Sequence, residues 1–403
     1  MINSEMIATR SEVTGSRGIV TGGHPAEAAA GIRMIKAGGN AIDAIVAAAF
    51  VGFVVEPASC GLGGYSHLSV YLGREKRFLT FDHYVRAPGG AGPDMFAIDH
   101  GKSMKYYGFP YTVGMKAEQG PLAPAVRGAV AGLCDAHRML GRLPLAKVLE
   151  PAIAEAKAGI AVTWPIQLVI GERLQAIQAL PETAAWLLRD NMPPKGEGQL
   201  GGGDRLDGAD LARTLGRIAE HGARGFYEGP VAEAIERACT EQGGILTAVD
   251  LSAYRTRILE ENPGRYRDLA YSTAYDQVAY ETLNILESFD LAKLGRVSLA
   301  YRHLVAEALA CGFIDSMTHY GDPDYEKSPV EGLASAAFGR ARAGQLWLDR
   351  ALPRPVAAAD PWPFDGAPSR PTWIRLEPTM ASRRWGIKSL SSRTRLDLTP
   401  SVA

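Results

Sequence analysis

The stretch AIDAIVAAAFVGFVV, from Ala41 to Val55, constrains the fold more than any other part of the chain. It runs for 15 residues with a single charge, Asp43. A helix of that length rises only about 22 Å, short of the roughly 30 Å hydrocarbon core of a bilayer. It reads as a buried helix, apolar on every face. Asn40 before it has the chemistry of an N-cap, and Asp43 stands three residues on, where it can return the bond. Upstream, TGGHP is a turn, and AEAAAGIRMIKAGG reads as a helix closed by its glycine pair. Downstream, EPASCGLGG is a glycine loop, followed by two short strands, HLSVYLG and RFLTFDHY, joined by a charged turn.

The same alternation continues along the chain. A helix opens at Asp207 or Asp210, with Leu211, Leu215 and Ile218 on one stripe and Gly222 at its stop. VAEAIERACTEQ starts at Pro230 and ends at Gly243-Gly244. Ser298 to Tyr320 is the longest helix, with Val305, Leu309, Gly312, Phe313 and Met317 expected on its inner face. PPKGEGQLGGG, from Pro193 to Gly203, is the best internal loop. Interleaved helices and short strands imply α/β or α+β layering. The length of 403 residues, set against roughly 150 per domain, gives two or three domains or one large α/β unit.

Charge excludes some function classes. With 43 basic and 44 acidic side chains the net charge is −1, so nothing global favours nucleic acid or an anionic membrane as partner. Cys60, Cys134, Cys239 and Cys311 lie far apart with no C-x-x-C pair, which argues for a reducing compartment and against a zinc ribbon. The opening MINSEMIATRSEVTGSRG is polar and lacks an apolar signal core, so a soluble, cytoplasmic protein is expected. There is no H-E-x-x-H, no G-x-S-x-G and no Walker loop. Gly61-Leu62-Gly63-Gly64 lacks dinucleotide spacing and follows a helix rather than a strand. The eight histidines are scattered, and His67 and His83 read as structural. No metal and no cofactor is expected. Cys60 beside the glycine loop reads as buried packing.

Taken together, GIVTGGHPAEAAAGIRMIKAGGNAIDAIVAAAFVGFVVEPASCGLGGYSHLSVY resembles the opening of the gamma-glutamyltranspeptidase family. The resemblance continues through FLTFDHYVRAP, GADLARTLGRIAEHGARGFYEGPVAEAI, GGILTAVDLSAYR, LNILESFDL and AEALACGFIDSMTHYGDPDY. It covers about Gly18 to Ala351, nearly all of that family's large subunit. It implies an N-terminal-nucleophile hydrolase with a four-layer α-β-β-α sandwich, of which this chain would be the large-subunit part. It also implies a gamma-glutamyltransferase or glutathione hydrolase activity. There, self-cleavage exposes a threonine at the start of a small subunit. The threonine hydroxyl attacks a γ-glutamyl amide while its own amine serves as base, and the acyl group passes to water or an amino acid. A free α-amine titrates near neutrality, so it can take that proton without a histidine. The implied partners are a small-molecule γ-glutamyl or other amide substrate and a small subunit, from the same precursor or a neighbouring gene.

Two departures qualify the resemblance. Family members handling γ-glutamyl donors carry Asp-x-Arg-Glu-x-Ala-Pro, whose arginine clasps the donor carboxylate. Here the stretch is Asp82-His83-Tyr84-Val85-Arg86-Ala87-Pro88, so Tyr84 stands where the arginine belongs. Arg86 follows two residues later, on the same strand face if the strand continues. Tyr84 and Arg86 are therefore the expected substrate-binding residues. Either Arg86 substitutes for the missing arginine, or it is a surface residue and the donor is another amide, as for an acylase.

The second departure is that no Thr-Thr-His occurs, and neither Thr372 nor Thr379 precedes the expected strand pattern. No catalytic nucleophile is therefore expected in this chain. Residues 366–403 carry seven basic against two acidic groups, while the rest of the chain sums to −6. The expected division is a large-subunit-like region, 1–365, and a disordered or out-of-frame tail, 366–403. Shifting the reading of Trp385 to Thr394 by two bases permits a Gly-Asn-x-Val strand similar to the one that follows the family's nucleophile. A truncated or separately encoded large subunit, and an inactive large-subunit-like scaffold, are the other readings. A large subunit without its partner should expose a sizeable apolar surface.

Overall fold

A computed structural model describes residues 13–366 apart from 17, 104–109, 199–201, 262, 274–275 and 323–324, together with the strand Trp373–Leu376. The chain divides into two compact units. Among the described residues, no helix is long and apolar enough to cross a membrane.

The first unit, within residues 1–66 and 83–256, is built on the buried helix. Ala41–Val55 forms as the sequence dictates: Asn40 Oδ1 accepts from the N–H groups of Ile42 and Asp43, and Asp43 returns a bond to the Asn40 N–H at 2.7 Å. Val46, Ala47, Phe50 and Val54 are fully buried, and helix Pro25–Lys36 lays Met34 into the same core. Each large side chain so buried contributes about 1.5–3 kcal/mol. Asp43 is itself fully buried. Burial pushes its pKa up, but His137 at 3.2 Å and the N–H groups of Asn40, Leu143 and Arg142 outweigh that and hold it below the ordinary value. One carboxylate thereby ties the buried helix to the end of helix Ala129–Leu140 and to the chain that leads into helix Leu145–Ala158. Helices Ala209–His221 and Pro230–Thr240 start and stop close to their sequence signals.

The second unit, within residues 67–82 and 257–388, holds a four-stranded sheet. Its order is Ser66–Leu72, Arg77–His83, Arg257–Glu261, Trp373–Leu376. Strand Arg257–Glu261 is central. It pairs antiparallel with Arg77–His83 in the register Phe81↔Ile258 and with Trp373–Leu376 in the register Arg375↔Leu259. Arg77 reaches across to Glu260 with both ends of its guanidinium. Helices Gln277–Leu286, Leu299–His319 and Ala336–Ala343 pack together through Ile285, Leu304, Ala308 and Cys311.

Two features differ from the sequence reading. The long helix buries Leu304, Glu307, Ala308, Cys311, Gly312 and Asp315, while Leu309, Phe313 and Met317 are 43–46% exposed. Long-range charge pairs cause the difference. Glu307 takes a guanidinium from Arg354 at 2.6 Å, and Asp315 takes Arg342 at 2.8 Å, so acidic positions point inward. The tail also contributes a strand, Trp373–Leu376, since Trp-Ile-Arg-Leu is a good β-former beside an open strand. Residues 367–372 and 377–403, and with them the remainder of the tail expectation, lie outside the described residues.

Candidate functional site

The glycine loop that follows the buried helix is held at both ends. Ser59 and Cys60 return their N–H groups to the Glu56 carbonyl, and Gly64 bonds back to Gly61 at 2.8 Å. The Gly64 carbonyl accepts from Ala129 N–H, and the Gly63 carbonyl accepts from the Arg127 guanidinium at 2.9 Å. A Cβ at Gly63 would stand 2.7 Å from Arg127 Nη1, so a side chain there would push the guanidinium off this bond. Burial lowers the pKa of Arg127.

Beside this loop the chain leaves strand Arg77–His83 and does not continue as a regular strand through Tyr84 and Val85. At Arg86 it pairs with a new partner: Arg86 and Val126 exchange both N–H···O bonds, at 2.9 and 2.8 Å. Tyr84 is 47% exposed, and its ring meets Tyr65 edge-on, with centroids 4.6 Å apart. Its main-chain carbonyl accepts from the Tyr254 hydroxyl at 2.7 Å. Arg86 is half-buried and places its guanidinium carbon 5.8 Å from the centre of the Tyr254 ring. That separation is within cation–π range.

Tyr254 thus joins the two residues singled out in the sequence, one through its hydroxyl and the other through its ring. It is in turn stacked on Tyr227, with centroids 5.8 Å apart and planes 11° from parallel. Tyr227 donates to the Arg127 carbonyl at 2.7 Å and accepts from Ala131 N–H. Burial raises its pKa far above the ordinary tyrosine value, so it stays a neutral hydroxyl. Gly128 makes the crossing possible: a Cβ there would stand 2.1 Å from the Tyr254 hydroxyl and 2.3 Å from the His83 carbonyl. The result is a cation laid on a rigid aromatic pair, next to a pair of exposed tyrosine rings. Such a site can receive an anionic group and flank it with flat apolar surface.

A second cluster lies beneath the loop. Glu27, in the first turn of helix Pro25–Lys36, accepts from Gly23 N–H at 3.0 Å and shares a hydrogen bond with Glu56. Burial, then that bond and the Glu56 charge, raise the Glu27 pKa to about 7. Cys60 is pushed up to about 11 by burial and by the Glu56 and Glu27 charges, which keeps its thiol protonated and unreactive. Among the described residues, no group of three or more His, Cys, Asp or Glu is placed to hold a metal ion.

The sequence singles out Tyr84 and Arg86 but not Tyr227, Tyr254, Arg127 or the Glu27–Glu56 pair, which lie around them and beneath the loop. Tyr254 lies in DLSAYR, far along the chain from Tyr84, and no periodic or spacing rule links them. The acid in GGHPAE and the acid in VVEPAS each flank a helix end, which is the one local hint that they could meet. His67 lies 3.4 Å from Asp82 in the second unit.

Comparison with known proteins places these features in context. The model of the family described as gamma-glutamyltranspeptidase matches residues 28–372. The chain is 35% identical over 359 residues to the acylase ACY 1 proenzyme of Pseudomonas sp. strain V22, covering 86% of this chain and 62% of that protein. It is 32% identical over 356 residues to the glutathione hydrolase proenzyme of Bacillus subtilis strain 168, covering 87% and 58%. The chain therefore spans about three fifths of the length of these relatives. Among solved structures, it resembles Helicobacter pylori gamma-glutamyltranspeptidase with a TM-score of 0.75 and 28% identity, over 85% of this chain and 95% of that one. It also resembles the cephalosporin acylase of Bacillus halodurans with a TM-score of 0.70 and 26% identity, over 86% and 62%.

Proposed function

The chain belongs to the gamma-glutamyltranspeptidase family, and from that premise we propose that it is the large-subunit part of an amide-cleaving proenzyme. A threonine at the head of a small subunit would supply the nucleophile. Its hydroxyl oxygen bonds to the acyl carbon and its α-amine takes the hydroxyl proton. The acyl C–N bond then breaks, and that proton leaves with the amine product. Water or an amino acid finally accepts the acyl group from threonine, as for a gamma-glutamyltransferase or glutathione hydrolase.

In this reading the chain supplies the donor's receptor. The observation that carries it is Arg86, fixed by main-chain pairing with Val126 and laid over Tyr254. A guanidinium so held can take a donor carboxylate in the role of the arginine that Tyr84 replaces. The partner subunit is supported by the relatives, which are named proenzymes, and by the exposed stripe Leu309, Phe313 and Met317, an apolar face suited to a second subunit. The test is turnover of a chromogenic γ-glutamyl anilide by the chain assembled with a threonine-led subunit. Arg86→Ala should raise KM about 10- to 100-fold with a smaller change in kcat, as loss of a charge-assisted carboxylate contact requires. An unchanged KM would remove Arg86 from the site.

A second reading, an acylase acting on another amide, is favoured by Tyr84 itself. Its exposed ring against Tyr65 offers an aromatic wall where a γ-glutamyl donor would need a cation. Turnover of non-γ-glutamyl amides alone, with Tyr84→Arg shifting preference toward the γ-glutamyl anilide, would establish it.

A further inference from the structure

An open groove of about 850 Å³ lies in the first unit, lined by the end of helix Leu145–Ala158, by Arg205 and Leu206, and by helix Ala209–His221. Neither the sequence motifs nor the proposed amide chemistry involves it. Its size falls within the range of small-molecule sites. Three cations face it: Lys157, Arg189 and Arg205. None of the three forms an ion pair with a carboxylate among the described residues. Arg213 also lines the groove but is paired with Asp210. Among the described residues, the one acidic side chain in the lining is Asp207, whose Oδ1 accepts from Ala209 N–H. With the Arg213–Asp210 pair set aside, the lining carries a surplus of two positive charges.

Main-chain carbonyls hold the two guanidiniums in place. Arg205 donates from Nε to the Ala158 carbonyl at 2.9 Å and from Nη2 to the Gly159 carbonyl at 2.6 Å. Gly159 adopts φ +81°, and a Cβ on it would come within 3.2 Å of the Leu206 carbonyl. Arg189 donates from Nη1 to the Trp186 and Leu188 carbonyls and from Nη2 to the Arg205 carbonyl at 2.9 Å. Capping helix ends consumes only part of each fork. Among the described residues, Arg205 keeps its Nη1 hydrogens and Arg189 its Nε hydrogen without a partner, on side chains that lose little further entropy when a ligand arrives.

We propose that this groove binds a small oligoanion carrying two or more phosphate or carboxylate groups, at a site separate from the one around Arg86. Two pinned guanidiniums supply directional bonds, and Lys157 supplies a mobile point charge at the rim.

Calorimetric titration of the 403-residue protein with pyrophosphate, and in parallel with citrate, tests this. Saturable 1:1 binding of either anion is expected, and which anion saturates tells phosphate from carboxylate recognition. Lys157→Glu removes the charge surplus and should weaken binding about tenfold, while Lys36→Glu on another helix leaves it unchanged. Lys157→Gln, which introduces no new charge, should bind with an affinity between the parent and Lys157→Glu, which separates lost attraction from a folding defect. The proposal is overturned if neither anion saturates, if the Lys157 variants bind like the parent, or if a short oligonucleotide binds and the two small anions do not.

Discussion

Replacing Glu27 with glutamine should flatten the stability of the protein between about pH 5 and about pH 8. Glu27 is 9% exposed and hydrogen-bonded to Glu56. Burial first, then that bond and the Glu56 charge, raise its pKa from 4.5 to about 7. The folded chain thus keeps a proton that the unfolded chain has already released. Stability is fully present below 4.5 and is lost as the pH rises through 7. At 1.36 kcal/mol for each factor of ten, the full effect is at most about 3.4 kcal/mol. Glu56 is only partly buried, so about 1–2 kcal/mol is the share expected after solvent screening. Glutamine keeps a donor for Glu56 and an acceptor for Gly23 N–H, with no charge to develop. Glu281, buried and raised to about 10 in the second unit, pulls in the same direction but is common to both proteins. Melting followed by circular dichroism should show the parent losing about 2–8 °C more than Glu27→Gln between the two pH values. Equal losses in both proteins, or a parent that gains on the variant as pH rises, would refute the shared-proton account.

Gly128→Ala should destabilise the first unit by about 1–3 kcal/mol, because the added methyl meets the Tyr254 hydroxyl and the His83 carbonyl. An unchanged urea midpoint would contradict the crossing described around Gly128. Cys60, pushed up to about 11, should be alkylated far more slowly at neutral pH than a free cysteine, as read by mass spectrometry of the peptide; rapid labelling would contradict its burial against the two glutamates. The purified 403-residue chain should self-associate and bind a hydrophobic dye through the stripe Leu309, Phe313 and Met317. A dye-negative monomer would count against a missing partner subunit.

What the sequence made legible was local. Asn40 and Asp43 sit three residues apart, so their reciprocal cap could be read directly, as could the glycine stops and the strands on either side of the charged turn. The ordered blocks from Gly18 to Ala351 carried the family and with it the fold. What stayed hidden depends on partners far along the chain. The inward turn of Glu307 and Asp315 needs Arg354 and Arg342, and without them Leu309, Phe313 and Met317 look like the better core. Tyr254 becomes part of the site only because Gly128 lets its hydroxyl reach the Tyr84 carbonyl. Strand Trp373–Leu376 is too short to declare itself without Arg257–Glu261 beside it.

The most direct test of the central claim is a paired measurement of self-cleavage and γ-glutamyl anilide turnover. It compares the 403-residue chain alone with the same chain joined to a threonine-led small subunit. The chain alone should run as one band on a denaturing gel and release no chromophore. The joined protein should split into two bands and turn over the anilide or another amide, with Thr→Ala at the new N-terminus abolishing both. Cleavage and turnover by the 403-residue chain alone, or no amide turnover by the assembled protein, would contradict the account.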